Sequence, residues 1–457
     1  MDIKKTSLIL VLFVIVFLSV SYLSYPLVGP DSGYYLATAR EFYSGKVYFI
    51  DIATAYNPLA IIILGLPYLF SPHPDPRYSL IINLFVIWIS AFVLYAILQK
   101  IKENKNENTF YALFFVLASL LLDGSYLMLE PISVFFQLIG LLFYLINKES
   151  FQNKYLVFAG IAIALSFLSK QYGLFILAPI GLDILINKNL IAKKISLLAV
   201  GFIIPLSLFY SYLSYNGASF SEFINYILGS GIHLDKGNGT GINYSLTTYL
   251  IGFGVFAIYN LYVLFIPILI LKNRKSIDYK NLLFILLLPF SLLVLFSASY
   301  AHYFQYVLPY ALIAFAYLMA ISKVQINKYK EVIFLISILI MISISVISFT
   351  RKQEKIDLQE ATLQQLSPVI PNKSEVYLDG ISPAFYYLCD YKSIQLNKIG
   401  FTFPGYFFPN TIIQSMKKNS FLVVSKDAFF SYRSQVSSFS KKEITIDNQT
   451  FLVLKKE

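Results

Sequence analysis

Nine ionisable side chains, Asp31, Glu41, Asp51, Asp123, Glu130, Lys170, His233, Asp235 and His302, fall near one membrane face, and most of them border hydrophobic blocks. A charge in that position costs at least a few kcal/mol unless it is solvated or paired. One shared wet cavity at the membrane face accounts for them together. Asp31, in PDSGYY, reads as a helix N-cap worth about 1 kcal/mol. A helix N-terminus also holds a carboxylate ionised, which is the form a general base needs. Asp51 is either a second acid or a solvated loop residue. Glu130, in LMLEP, is a helix-start acid or a catalytic one. Lys170, in LSKQYG, has no acid near it in sequence. It either snorkels to the interface or meets an anionic phosphate headgroup. His302 and Tyr303, in ASYAHYFQYVLP, sit at the end of a span: a packed, hydrogen-bonded histidine is the default, and contact with the same phosphate is the functional reading. His233 and Asp235 are candidates for a divalent metal, although two ligands one residue apart fall short of a site.

The elements that position these groups follow from composition. The chain has 457 residues, 57% hydrophobic, 17% aromatic and 13% charged. Soluble domains carry about twice that charge. The apolar residues fall into blocks of about 20, the length that crosses hydrocarbon as a helix. Spans are expected at 8–27, 78–98, 109–126, 131–147, 155–169, 172–187, 195–215, 247–271, 282–299, 305–322 and 331–349, eleven in all. The first reads as a retained span, because no small-residue cleavage site follows it.

The net charge of +11 is set out for membrane orientation, not for nucleic acid. One set of connecting segments holds seventeen lysines and arginines; the opposite set holds five: Arg40, Lys46, Arg77, Lys170 and Lys236. The positive-inside rule then places the N-terminus in the cytoplasm and residues 350–457 outside. The single cysteine, Cys389, excludes an internal disulfide and a cysteine-based zinc cluster.

Two connections are more than loops. From Gly29 to Tyr68 the chain holds two segments too short to cross a bilayer. In the first, Tyr35, Leu36, Ala39, Phe42 and Tyr43 share a helical face and Gly45 stops the helix. Such a helix lies in the interface. Asn57 to Phe70 reads as an interfacial or re-entrant piece opened by Pro58. The connection from Asn216 to Tyr244 carries GNGTG, which lacks the preceding strand and following Lys-Ser/Thr of a phosphate loop. A flexible lid is the better reading.

The expected organisation is a transmembrane catalytic domain, 1–349, and a small α/β extracytoplasmic domain, 350–457. The tail has strand candidates at 375–378, 421–425 and 450–454, with helix candidates at Pro383–Leu388 and Asn410–Lys418. A transporter or flippase is the alternative, since Pro179, Pro205, Pro267, Pro289 and Pro309 interrupt spans. The ionisable groups at the outer edge rather than the midplane weigh against it.

The stretch PDSGYYLATAREFYSGKVYFID…YNPLAIIILGLPYLF, following a first span, resembles the GT-C superfamily of membrane glycosyltransferases. It is most similar to the branch of lipid A aminoarabinose transferases, protein O-mannosyltransferases and their bacterial relatives. The resemblance continues through LMLEPISVFFQLIGLLFYLI, FLSKQYGLFILAPIGLDIL and AHYFQYVLPYALIAFAYL. It implies an all-α polytopic fold with two juxtamembrane helices in the first outer loop. It implies transfer of a sugar from a polyprenyl-phosphate donor to a lipid, glycan or protein acceptor at the outer face. The family's catalytic acid falls on Asp31 and its second acid on Glu130, while Lys170 matches a position often basic in relatives, which places it to meet the donor phosphate. Ala55, Tyr56 and Asn57 precede Pro58, where some relatives carry an acid, so Asp51 is the substitute and a metal built on that acid is in question. Ser32 follows Asp31 where an acid is more frequent, which removes a paired-carboxylate mechanism there.

Overall fold

The computed structural model describes residues 12, 14–20, 23, 30–52, 54, 56–124, 126–232, 246–296, 301–322, 327–379, 384–389, 391–393, 413, 416–426, 429, 432, 436, 439–446 and 449–457. They divide into two compact units. One comprises Met1–Ser24, Ile81–Phe209 and Gly241–Ile347; the other comprises Tyr25–Leu80, Tyr210–Thr240 and Ser348–Glu457. The stretch Tyr25–Leu80 therefore groups with the C-terminal tail.

Among the described residues, four helices are long and apolar enough to cross a membrane: Pro76–Ile101, Glu130–Ser150, Ile191–Tyr215 and Phe304–Ile321. A fifth crossing is made only if Leu250–Tyr259 and Tyr262–Asn273 count as one span, and these meet at a 96° bend. The sequence reading of eleven spans is thus not reached on this measure. The expected continuous span 247–271 is broken at Asn260. The expected spans at 155–169, 172–187 and 282–299 are shorter apolar helices, Lys154–Ser169, Gln171–Asn187 and Leu283–Leu295. The first span lies largely outside the described residues. The last is part of a 40-residue helix, Asn327–Leu366, which runs on well past residue 349.

The other unit holds the loop and the tail. Helix α1, Pro30–Tyr43, begins one residue before the expected cap, so Asp31 sits in its first turn. Pro30 fits that position because its fixed φ is already helical and the N–H it lacks would go unbonded there. Gly45 ends the segment with φ of +97°, open to glycine and strained for other residues. Helix α2, Pro58–Leu64, is followed by a 3-10 turn, Leu66–Leu69, as the short second segment required.

The connection read as a lid is partly a helix. Phe220–Ile232 is helical, opened by a capping box that the sequence reading missed. Ser219 N–H donates to Glu222 Oε2 at 2.7 Å, and Glu222 N–H donates back to Ser219 Oγ at 3.3 Å. The GNGTG segment lies outside the described residues.

The tail forms a five-stranded mixed sheet in the order β2-β1-β3-β5-β4. Strands β1 (Glu375–Asp379), β3 (Phe421–Ser425) and β5 (Gln449–Lys456) fall on the three segments read as strands; β2 (Lys392–Ser393) and β4 (Phe439–Ile446) are additional. β1 pairs in parallel with β2 and β3, whereas β5 is antiparallel to both β3 and β4. Tyr377, Leu422, Val424, Leu452 and Leu454 form its core with Met416, Tyr432 and Val436. The helix expected near Pro383–Leu388 is present as Ala384–Leu388; that at Asn410–Lys418 lies largely outside the described residues.

Candidate functional site

The candidate residues fall into two groups, one in each unit. In the loop unit, α1 is buried all round from Ser32 to Ala39, taking in Tyr34, Tyr35, Leu36, Ala37 and Ala39. The small Ala39 and Gly65 let the end of α2 approach α1 closely. A Cβ at Gly65 would lie 2.6 Å from the Ala39 Cβ and 2.8 Å from the Tyr43 ring, so the site accepts only glycine without displacement. The Tyr68 hydroxyl donates to the Leu36 carbonyl at 3.0 Å and the Tyr43 hydroxyl to the Ile62 carbonyl at 2.9 Å. These bonds fix the direction of the helix whose first turn carries the half-buried Asp31. Tyr35 packs edge to face on Tyr34 and on Tyr56, and Tyr34 is tilted against Tyr56, with ring centroids 5.0 to 6.5 Å apart. Burial pushes the Tyr34 hydroxyl well above the usual tyrosine range.

Asp51 has a local task. Its carboxylate accepts the Val47 N–H at 2.8 Å, and its own N–H donates to the Val47 carbonyl at 2.9 Å, closing the turn 47–51. Glu41 is buried and ion-paired with Lys46.

In the helical unit, Glu130, Lys170, His302 and Tyr303 come together from three separate stretches of sequence. Glu130 opens the helix Glu130–Ser150 and is fully buried. Lys170 lies between the helix Lys154–Ser169 and the 3-10 turn Gln171–Ile176, and only 4% of it is exposed. Its ammonium is bonded to Glu130 Oε1. His302 Nε2 lies 3.8 Å from the same oxygen. The Lys170 ammonium is also 4.7 Å from the centre of the Tyr303 ring and 5.9 Å from that of Tyr172, within cation–π range. Glu130 Oε2 has no hydrogen-bond partner among the described residues.

Polar stitches between helices hold this arrangement. Ser166 Oγ donates to the Ser133 carbonyl at 2.7 Å, and Ser133 Oγ lies 2.9 Å from Ser166 Oγ. Gln137 donates to the Tyr172 carbonyl at 3.1 Å and accepts from the Tyr310 hydroxyl at 2.9 Å. Gln305 donates to the Leu122 carbonyl at 2.9 Å, within the π-helical turn that contains Asp123. Each such bond in a low-dielectric interior restricts a helix pair to one register.

Tyr172 was not singled out from the sequence. Its only signal there is its place two residues after Lys170, on a turn whose 3-10 geometry the pattern did not show. His233 and Asp235 lie outside the described residues. Among the described residues no three His, Cys, Asp or Glu side chains converge as metal ligands. The one buried acid of the cluster, Glu130, is bonded instead to an ammonium. Chemically, the loop group presents a carboxylate, and the buried cluster presents an ammonium beside aromatic rings.

The family model for dolichyl-phosphate-mannose-protein mannosyltransferase matches residues 39–211. No curated protein sequence matches the chain significantly. Among solved structures, ArnT from Cupriavidus metallidurans bound to undecaprenyl phosphate is similar over 98% of both chains, with a TM-score of 0.62 and 14% identity. The apo oligosaccharyltransferase of Archaeoglobus fulgidus gives a TM-score of 0.55 at 12% identity, covering 98% of this chain and 74% of that one. The A. fulgidus oligosaccharyltransferase AglB in complex with an inhibitory peptide and dolichol phosphate gives 0.52 at 12% identity, covering 100% and 75%. The chain thus has the fold expected from the GT-C resemblance: a helical membrane protein with a small C-terminal sheet.

Proposed function

We propose that this chain is an integral-membrane glycosyltransferase that takes its sugar from a polyprenyl-phosphate donor. Transfer takes place to an acceptor at the outer face of the cytoplasmic membrane. The N-terminus is cytoplasmic and the C-terminal domain extracytoplasmic. The observation that carries the reading is the likeness over 98% of both chains to a structure bound to undecaprenyl phosphate.

In this reading the Asp31 carboxylate removes a proton from the acceptor's hydroxyl or amine. The freed electron pair forms the bond to the anomeric carbon. The bond from that carbon to phosphate breaks, its electrons leaving with the phosphate. A single displacement of this kind inverts the anomeric centre. Phosphate is already a good leaving group, so the protein's task is to take the proton and offset departing charge. Lys170 supplies the offset. Glu130 engages one of its three N–H groups, which leaves two for phosphate oxygens. His302 and Tyr303 complete that side. Glu130 sets the direction of the ammonium, and Asp51 shapes the loop. A lipid-borne donor fits a polytopic protein, because its carrier stays dissolved in the bilayer. Sugar and acceptor class remain for assay, with lipid, glycan and protein as the candidates.

The 96° break at Asn260 favours a second reading, a membrane transporter or lipid-linked sugar flippase. The two differ in product. Purified protein in vesicles, given radiolabelled polyprenyl-phosphate sugars and an acceptor panel, should form a new glycosidic bond. Movement of intact donor across the bilayer without consumption would instead identify the flippase.

A further inference from the structure

The helix that carries Asp31 is held on two sides, and one of them is the C-terminal domain. On the first side stand α2 and its 3-10 turn, through the Tyr68 and Tyr43 hydroxyls. On the other, Arg40 Nη2 donates to the Tyr391 carbonyl at 2.6 Å, across 351 residues of sequence. The tail helix Ala384–Leu388 packs along α1. The Tyr387 hydroxyl donates to the Pro74 carbonyl, tying the same tail segment to the far end of the loop. Phe385, Cys389 and Tyr391 are all buried there, none more than 3% exposed. A 14-residue helix is marginal on its own, so what packs against it decides where it sits.

We infer that the C-terminal domain is a working part of the catalytic apparatus, with Arg40 as the residue through which it positions Asp31. The inference rests on the assignment of Asp31 as the base. Arg40 is nine residues from Asp31, roughly 13 Å along the axis at 1.5 Å per residue. It acts through the helix rather than on the reacting atoms. Misplacement of a catalytic group by about 1 Å can lower turnover by ~100-fold, so a clasp of this kind governs rate rather than donor affinity. A lysine at 40 can still donate to one carbonyl, whereas alanine cannot.

The test uses the full-length protein in detergent or vesicles, as wild type, Arg40→Ala, Arg40→Lys and Tyr387→Phe. Two quantities are read: amide hydrogen exchange over residues 31–43, and single-turnover transfer from a polyprenyl-phosphate sugar with donor affinity measured separately. Arg40→Ala should raise exchange of the α1 amides at least ~10-fold, by loss of the packing that protects them. It should slow transfer by roughly 10- to 100-fold with donor affinity and the pH profile unchanged. Arg40→Lys should recover part of both, and Tyr387→Phe should act in the same direction but less. Unchanged exchange in Arg40→Ala overturns the inference, as does raised exchange with undiminished transfer. A fall in donor affinity matching the fall in rate overturns it too. Should wild type transfer from no donor, the function proposed above fails, and with it the catalytic role assigned to the tail; the exchange data alone then decide whether the tail holds α1.

Discussion

The ammonium of Lys170 is bonded to the carboxylate of Glu130, and neither side chain is more than 5% exposed. They are 40 residues apart, each at the end of a different helix. Removing one partner strands a buried charge; removing both strands none. Glu130→Leu or Lys170→Met alone should therefore destabilise by about 3–5 kcal/mol, while the two together should come close to wild type. Thermal unfolding of the four proteins in one detergent forms the cycle. Strictly additive losses would contradict a direct pair.

Cys389 offers a check on the tail. Burial pushes its thiol up to about 11, a Tyr391 hydrogen bond offsetting part of the effect. Only the thiolate reacts, so alkylation by iodoacetamide at pH 8.5 should be about 100-fold slower in the folded protein than in the denatured chain. The sign for stability follows. A raised pKa favours the protonated form in the fold, so this contribution is intact below about 9 and is lost as pH rises toward about 11. Equal alkylation rates in folded and denatured protein would refute the burial.

Glu222 titrates in the opposite sense. The Ser219 N–H and hydroxyl both donate to its carboxylate and hold it below the usual range. A depressed pKa stabilises the fold above the unfolded value and is lost as pH falls through the folded one. Exchange of the amides in 220–232 should accelerate between pH 7 and pH 3.5 beyond the intrinsic rate; Glu222→Gln should remove that dependence, and Ser219→Ala, which keeps the backbone N–H, should only weaken it. Persistence of the dependence in Glu222→Gln would show that another group is responsible.

How far the sequence reached depends on the range of the interactions involved. Helix α1, the α2 segment and the strands at 375, 421 and 450 were legible because periodicity and stop residues act locally. The strand Phe439–Ile446 was missed because its exposed stretch, Ser-Lys-Lys-Glu, carries no apolar alternation; pairing with β5 alone makes it a strand. The eleven spans came from hydropathy, which does not register the 96° turn at Asn260 or the short 3-10 pieces between helices. Asp31, Glu130, Lys170 and His302 were each visible as ionisable groups at apolar borders. That Lys170 meets Glu130, and that Arg40 meets Tyr391, was not, since no local rule links residues 40 or 351 positions apart.

The central claim is that Asp31 takes the proton of the acceptor. Purified wild type and Asp31→Asn, incubated with a panel of radiolabelled polyprenyl-phosphate sugars, test it directly. Donor consumption should fall by at least ~100-fold in Asp31→Asn, the lower range for removal of a general base. Donor affinity should be retained, since the amide keeps the shape of the side chain. Equal turnover by the two proteins would remove Asp31 from the chemistry and contradict the account.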